Sequence, residues 1–326
     1  MPNQHQSTLI LAVGDLVWDV VVKPDTKLLP GGDTTGQVLL SPGGSAANTA
    51  AWISRVGGDA GFVGSLGADF FGDAIARDLE GEGVKTWLTR TKERDTGVVL
   101  VLVDEQGQRS MVTNQGADFV LRPEDLPLDA LAAARHVHLT AWSLFTDPPR
   151  SAALEAARIA QKHGASVSLD PASFQMIHEF GREAFIDLFK DIHIDILFPN
   201  REEGQALTDQ EEPEAIANEL RRLFPDALVV LKLDNEGCYV KSQQLSQHCA
   251  TAQIQAVDTT GAGDSFNAAF LTCYLASKDA IYAAEKANSI AGWVVARTGA
   301  RPAIDDELRL LQSGIQTEAN KRSVGF

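Results

Sequence analysis

The sequence predicts an α/β fold: an αβα sandwich with a mostly parallel central sheet, and a small separate β-sheet as a lid. Three observations predict it. Apolar strand-like runs alternate with helical stretches through most of the chain, the rhythm of βαβ units that covers a sheet on both faces. Four β-rich pieces in the first third are not interleaved with helices in this way. Hydrophobic residues make up 44% of 326 residues, enough for a substantial core.

In chain order, residues 9–13 form a continuous apolar run ending at Gly14, the pattern of a buried central strand. Residues 17–22 and 37–40 are short β-rich pieces on either side of the turn Pro30-Gly31-Gly32. Residues 96–103 and 109–113 flank Asp104-Glu105-Gln106-Gly107-Gln108, a hairpin signal. These pieces define a lid of residues 15–41 and 96–114, leaving 1–14, 42–95 and 115–326 as the α/β core. Within the core, helical spacing at 46–56 and 71–80 brackets a strand at 61–63. Strands follow at 136–140, 166–169, 194–198 and 228–233, with helices at 150–163 and 214–224. The polar tail after Gly314 is expected to fray. Ligands on such a sheet bind outside the carboxyl ends of the strands.

Composition narrows the function classes. Forty-four acidic against 28 basic residues give a net charge of −16, which repels nucleic acid and anionic membranes. Neither is an expected partner, and an anionic substrate would need local donors. Cys238, Cys249 and Cys273 show no metal spacing and are odd in number, as expected of free thiols in a reducing cytoplasm. Residues 1–7 lack the basic start of a signal peptide, and Asp15 and Asp19 interrupt the apolar run 9–22. A cytoplasmic protein is expected.

Chemistry concentrates in Asp258-Thr259-Thr260-Gly261-Ala262-Gly263-Asp264-Ser265-Phe266. Three small residues run straight into an apolar helical segment, which predicts a tight turn with bare backbone N–H groups at a helix start. A phosphate can approach such a main chain closely. Asp264 falls in the first helical turn, where the local dipole keeps a carboxylate ionised. An anion cradle beside a carboxylate base is what phosphoryl transfer to a hydroxyl requires. Taken alone, the same residues also suit a simple helix cap.

The full string resembles the second signature of the ribokinase-like (phosphofructokinase B) family of carbohydrate kinases. Pro42-Gly43-Gly44-Ser45-Ala46-Ala47-Asn48 resembles the first signature and stands in the right order. The resemblance covers nearly the whole chain. It implies an ATP- and magnesium-dependent kinase with the ribokinase-like sandwich and lid. Asp264 would be the general base and the backbone of Gly261, Ala262 and Gly263 the anion hole. Asp19 would bind sugar hydroxyls, with Asp15 a second carboxylate nearby and Gly43, Gly44 and Asn48 on the same side. In Phe198-Pro199-Asn200-Arg201-Glu202-Glu203, Asn200 and Glu203 match an element that organises magnesium and phosphates, partly through water. Read without the resemblance, that stretch is a helix cap with an acidic first turn.

Lys232-Leu233-Asp234-Asn235-Glu236-Gly237 matches the nucleotide segment, with Lys232, Asp234 and Gly237 as contacts, although the family commonly has Gly where Asp234 stands. Asn288 lies on a helix that borders the adenine in relatives. Asp258 and Thr260, with Val294, Arg297, Gly299 and Ala303, match a potassium site built mainly from carbonyls.

Three absences bear on the acceptor. Thr140-Ala141-Trp142-Ser143 holds no Glu where ribokinase has one, no Arg follows Asp170-Pro171, and Ser45 stands where phosphosugar kinases carry Lys. A primary hydroxyl of a neutral sugar or polyol is therefore expected. Trp142 and Trp18 could instead stack on a base, so a nucleoside kinase of the same family is the alternative, although both rings also suit plain packing. A non-catalytic sugar- or nucleotide-binding regulator is opposed by the retained Asp264 and glycine turn. Lids of similar proteins often double as dimer surfaces, and apolar Val99 and Val101 permit a homodimer here.

Overall fold

A computed structural model describes residues 8–103 and 109–323. The strands are β1 (Leu9–Val13), β2 (Val17–Pro24), β3 (Gly36–Gly43), β4 (Asp59–Gly67), β5 (Lys85–Thr91), β6 (Thr96–Val103), β7 (Arg109–Gly116), β8 (His136–Thr140), β9 (Ser166–Asp170), β10 (Ile196–Leu197), β11 (Leu228–Lys232), β12 (Cys238–Lys241) and β13 (Ser246–Cys249). The helices are α1 (Ser45–Arg55), α2 (Phe70–Gly81), α3 (Leu128–Ala133), α4 (Pro149–Lys162), α5 (Phe174–Phe180), α6 (Arg182–Asp187), α7 (Arg201–Thr208), α8 (Pro213–Leu223), α9 (Ala262–Ser277), α10 (Ala280–Val295) and α11 (Asp306–Ser323).

Nine strands form the main sheet in the order β13-β12-β11-β10-β9-β8-β1-β4-β5. Pairing is parallel from β10–β11 through β4–β5, and only β12 and β13 join antiparallel. Both faces are covered, because each βαβ crossover lays its helix on the sheet. One apolar cluster packs α1, α2, α9 and α10 on one face, and a second packs α3, α4, α7 and α8 on the other. Helix α9 is apolar almost all round because the sheet, α1, α10 and α11 enclose it.

The four pieces that do not interleave with helices form their own sheet, β3-β2-β6-β7. Strand β2 pairs antiparallel with β3 and parallel with β6, and β6 pairs antiparallel with β7. The turn Asp104-Glu105-Gln106-Gly107-Gln108 and residues 1–7 lie outside the described residues.

The chain leaves β1 for β4 on one side and later returns to β8 on the other. That reversal opens a crevice at the carboxyl end of β1, the topological switch point where such sheets bind ligands.

Asp69 ties the core to the second sheet. Its carboxylate accepts the Gly72 amide at the start of α2 and the Thr96 amide and hydroxyl at the start of β6. These donors hold its carboxyl below the usual carboxylate range against the opposing effect of burial. Asp69→Ala is expected to lower unfolding stability by about 1–2 kcal/mol, because a helix cap and two further acceptors disappear together. Urea denaturation measures this, and an unchanged midpoint would refute it.

The structure departs from the sequence reading in a few places. Strand β10 keeps only Ile196–Leu197 of residues 194–198, because the Asp195 carboxylate takes the Val167 amide at 2.7 Å and ends the regular ladder. Strands β5, β12 and β13 carry too few buried residues to stand out by hydrophobicity. The backbone beyond Gly314 is helical to Ser323 instead of frayed, and buried Ile315 anchors it beneath the Tyr282 hydroxyl.

Candidate active site

The carboxyl ends of β1, β8, β9 and β11 converge on the start of α9. Gly261 begins that helix in the left-handed conformation, φ 75°, and no side chain caps it. An uncapped helix start directs main-chain N–H groups and the positive end of the dipole at the space before it. Asp264, on the first turn, accepts the Asn48 side-chain amide at 2.9 Å. Burial pushes its carboxyl up to about 7; Asn48 opposes the shift, and the negative charges of Asp170 and Asp15 add to it. The sequence led us to expect a carboxylate kept ionised by the dipole. Burial outweighs that field and lifts the carboxyl towards neutrality.

Lys232, at the end of β11, sits beneath the glycine turn. A Cβ on Gly263 would stand 3.4 Å from its ammonium. Lys232 pairs with Asp170 at 2.7 Å, and Asn267 on α9 also donates to Asp170. Burial disfavours both charges, but each holds the other charged: Lys232 stays above its ordinary value and Asp170 below its own.

Asn200 and Glu203 form a capping box at the start of α7. Asn200 Oδ1 accepts the Glu203 amide at 2.8 Å, and Glu203 accepts both the Asn200 amide and side chain. Unlike most capping glutamates this one is buried. Burial and the negative charge of Asp170 raise its carboxyl to about 8. An amide and a carboxylate oxygen are hard donors, and a divalent cation would relieve this crowding of buried negative charge. The donor set fits magnesium.

Between Lys232 and α10 lies a cleft of ≈ 470 Å³ lined by Asn200, Lys232, Asp234, Gly237, Gly263 and Asn288, among others. Its size suits a small-molecule ligand. A larger groove of ≈ 1000 Å³ lies at the amino ends of the strands, beside Ser166, Asp195 and Leu228, away from this chemistry. Asn288 is buried and donates to the Cys249 carbonyl, which fixes the cleft's outer wall. Asp234 adopts φ 51°, a left-handed conformation that glycine takes freely and Asp tolerates.

On the other side of Asp264 stand the residues of the first signature. Asp19 lies against Gly43, where any Cβ would collide with its carboxylate. Burial, with Asp15 adding and Arg301 opposing, raises its carboxyl to about 6. Asp15 is committed elsewhere: its oxygens accept the Ser45 and Ala46 amides at the start of α1 and the Thr140 hydroxyl. Gly44, at φ 94°, precedes α1 and packs on the Asp15 carbonyl. Trp18 donates to the Phe71 carbonyl and packs edge-on against its ring, while Trp142 packs against Phe145.

Of the residues matched to a potassium site, Asp258 accepts the amides of Thr260 and Gly299, which joins those three. The Val294 carbonyl accepts the Arg297 amide, and the Arg297 side chain turns to Trp293, Asp305 and Glu307. Ala303 is exposed on the following loop. Among the described residues no group of three or more His, Cys, Asp or Glu side chains could hold a metal ion. No helix among them is long and apolar enough to cross a membrane.

Sequence reasoning missed Asp170, Asn267 and Arg301 as parts of this cluster. Their partners lie 62, 97 and 253 positions away, so no local spacing signals them.

A covered parallel sheet, a separate small sheet, and a carboxylate at a bare helix start beside a cleft together define a small-molecule kinase. Residues 7–307 match the family described as pfkB family carbohydrate kinase, and the chain belongs to that family. It is an ATP-dependent carbohydrate kinase, transferring phosphoryl to a sugar hydroxyl. It is 34% identical over 298 residues to the ATP-dependent ribose-1-phosphate kinase of Halopiger xanaduensis, covering 90% of this chain and 94% of that protein. It is 31% identical over 284 residues to the fructokinase of Escherichia coli, covering 82% and 84%. Among solved structures, the adenosine kinase from Sinorhizobium meliloti superposes with a TM-score of 0.84 at 26% identity, covering 96% and 99%.

Proposed function

We propose that this kinase phosphorylates a primary hydroxyl of a neutral sugar or polyol, with Asp264 as general base. The observation that carries this reading is the position of Asp264 on the first turn of α9, bonded to Asn48 of the first signature and adjacent to Gly263 in the cleft lining. The donor's phosphates would lie on the backbone of Gly261, Ala262 and Gly263, with Lys232 beneath them, Asn288 and Gly237 along the cleft and Asp234 at its rim. Magnesium, held by Glu203 and Asn200 partly through water, would neutralise charge on the phosphates. Potassium would take the loop of Asp258, Thr260 and Gly299, with carbonyls of Val294, Arg297 and Ala303.

On the acceptor side Asp19, whose oxygens are not held by a helix start, would accept sugar hydroxyls, and Asn48, Gly43 and Gly44 would shape the wall. Asp15 serves that wall by fixing α1, and Trp142 borders it. Residues 15–41 and 96–114 act as the lid over the core, excluding water from the phosphoryl group. Val99 and Val101 lie on interior strand β6, with Val101 buried, so they offer no free edge; exposed Val38, Leu40 and Val112 on the second sheet instead support pairing of two lids in a homodimer. Three free cysteines support work in a reducing cytoplasm, and the net charge of −16 opposes nucleic acid or anionic membrane partners.

A phosphorylated acceptor is the second reading, favoured by the 34% identical relative named for ribose 1-phosphate. Carboxylates on the acceptor wall disfavour it. The nucleoside alternative loses support because Trp18 and Trp142 both pack against neighbouring rings.

The test is ADP release from ATP and magnesium with fructose, ribose, ribose 1-phosphate and adenosine, in parent and Asp264→Asn protein. Turnover with a neutral sugar that falls about a hundredfold or more in the variant is expected. Turnover confined to ribose 1-phosphate or adenosine would overturn the acceptor assignment and leave the base intact.

A further inference from the structure

Arg301 follows the loop after α10 and is pinned on both sides. The Ala300 carbonyl accepts the Trp52 indole N–H at 2.9 Å, and the Pro302 carbonyl accepts Arg55 at 2.8 Å. Its side chain, 3% exposed, is thereby held between α1 and α2. Its Nε donates to Asn48 Oδ1 at 2.8 Å while Nη1 donates to Asp78 Oδ2 at 2.8 Å. Nη2 is buried and finds no acceptor among the described residues.

A guanidinium can only donate, so the end of the Asn48 amide facing it must be the oxygen. The other end, facing Asp264, must then be the NH₂. Asn48 cannot rotate to offer its oxygen to Asp264 while Arg301 stands in place. Asp264 thus receives a hydrogen on Oδ2, and Oδ1 has no hydrogen-bond partner among the described residues.

We infer that Arg301 is a positioning residue for phosphoryl transfer: through Asn48 it orients Asp264 so that one carboxylate oxygen is donor-bound and the other faces the acceptor hydroxyl. The inference rests on the reading of Asp264 as base. The guanidinium fork is essential to it, because two donors at a fixed angle engage Asn48 and Asp78 at once. A lysine has the charge to pair with Asp78 but no second planar donor to lock the amide.

Arg301→Lys is therefore expected to fold and bind acceptor with KM within about threefold, while kcat falls about tenfold or more, since a misoriented base loses much of its contribution. The acid limb of kcat should also move to higher pH, because the Asn48 hydrogen bond favours ionised Asp264. The other charged groups facing Asp264 are Asp170, Asp15 and Lys232, with Arg301 itself behind Asn48. Lysine preserves that last charge, so the shift reports the hydrogen bond.

A folded Arg301→Lys protein with parental kcat and acid limb overturns the inference, as does a change in KM alone. Should the lysine variant fail to fold, Arg301→Met is read by the split between kcat and KM alone, because loss of the charge would itself move the acid limb. Asp264→Asn is measured beside them. If it keeps parental kcat, the reading of the base fails. If it is inactive and the Arg301 variants are parental, only the role of Arg301 fails.

Discussion

Asp264→Asn is expected to lower kcat by about 10²–10⁴-fold while nucleotide affinity changes little. Asparagine preserves the shape of the side chain at the start of α9 but cannot take a proton from an acceptor hydroxyl. It also presents a neutral amide to Asn48, which now donates to the carboxylate at 2.9 Å. Phosphoryl transfer depends mostly on alignment and charge stabilisation, so residual turnover from the glycine turn and Lys232 is expected. The pH dependence follows from the raised carboxyl. Burial lifts it to about 7, so the ionised, active form is lost as pH falls through that value. The kcat/KM profile of the parent protein, which reports the free enzyme, should fall towards acid with an apparent pKa near 7. A flat profile across neutrality, or a variant retaining parental kcat, would remove Asp264 from the mechanism.

Gly261→Ala should damage both stability and rate. At φ 75° a side chain is strained whatever the space around it. The space is also lacking, since a Cβ would lie 2.7 Å from Ala300 Cα and 2.8 Å from Ala300 O. Those are backbone atoms of a segment tied to α1 through Trp52 and Arg55, so they cannot swing aside. The left-handed cost of about 1–2 kcal/mol is then joined by overpacking of similar size. To relieve it the turn must move, and displacing a preorganised N–H donor costs about 10²–10³-fold in kcat. Gly263→Ala is the contrast: its Cβ would meet only the Lys232 ammonium at 3.4 Å, so it should unfold near the parental midpoint. Urea denaturation with steady-state kinetics distinguishes the two, and equal behaviour would refute the role given to the turn.

Arg301 also changes the meaning of Asn48. In sequence, Asn48 reads as a donor and acceptor for the substrate. In the structure both ends of its amide are already engaged, one by Arg301 and one by Asp264. With Asp264 as the proposed base, Asn48 is expected to act on turnover through that carboxylate.

Some features were legible in the chain because they are local. Alternating apolar runs and helical stretches predicted a covered parallel sheet, since secondary-structure period and burial are written into neighbouring positions. The glycine turn and Asp264 share one nine-residue stretch, and Asn200 and Glu203 stand three apart, as a capping box requires. The second sheet was visible for the same reason: β2 and β3, and again β6 and β7, follow one another with no helix between them, as antiparallel neighbours can.

Tertiary structure alone decided the rest. That Asp15 serves α1 while Asp19 faces Gly43 depends on how β1 leads into β2 and how α1 meets both. The titration of Asp264 depends on burial and on charges that approach from β1, β9 and β11. Arg301 reaches Asn48 across 253 positions. Spacing along a chain fixes which groups one turn or helix start can hold, whereas proximity between distant segments and loss of solvent arise only when the sheet and its helices close together. Orientation and proton affinity follow from that closure.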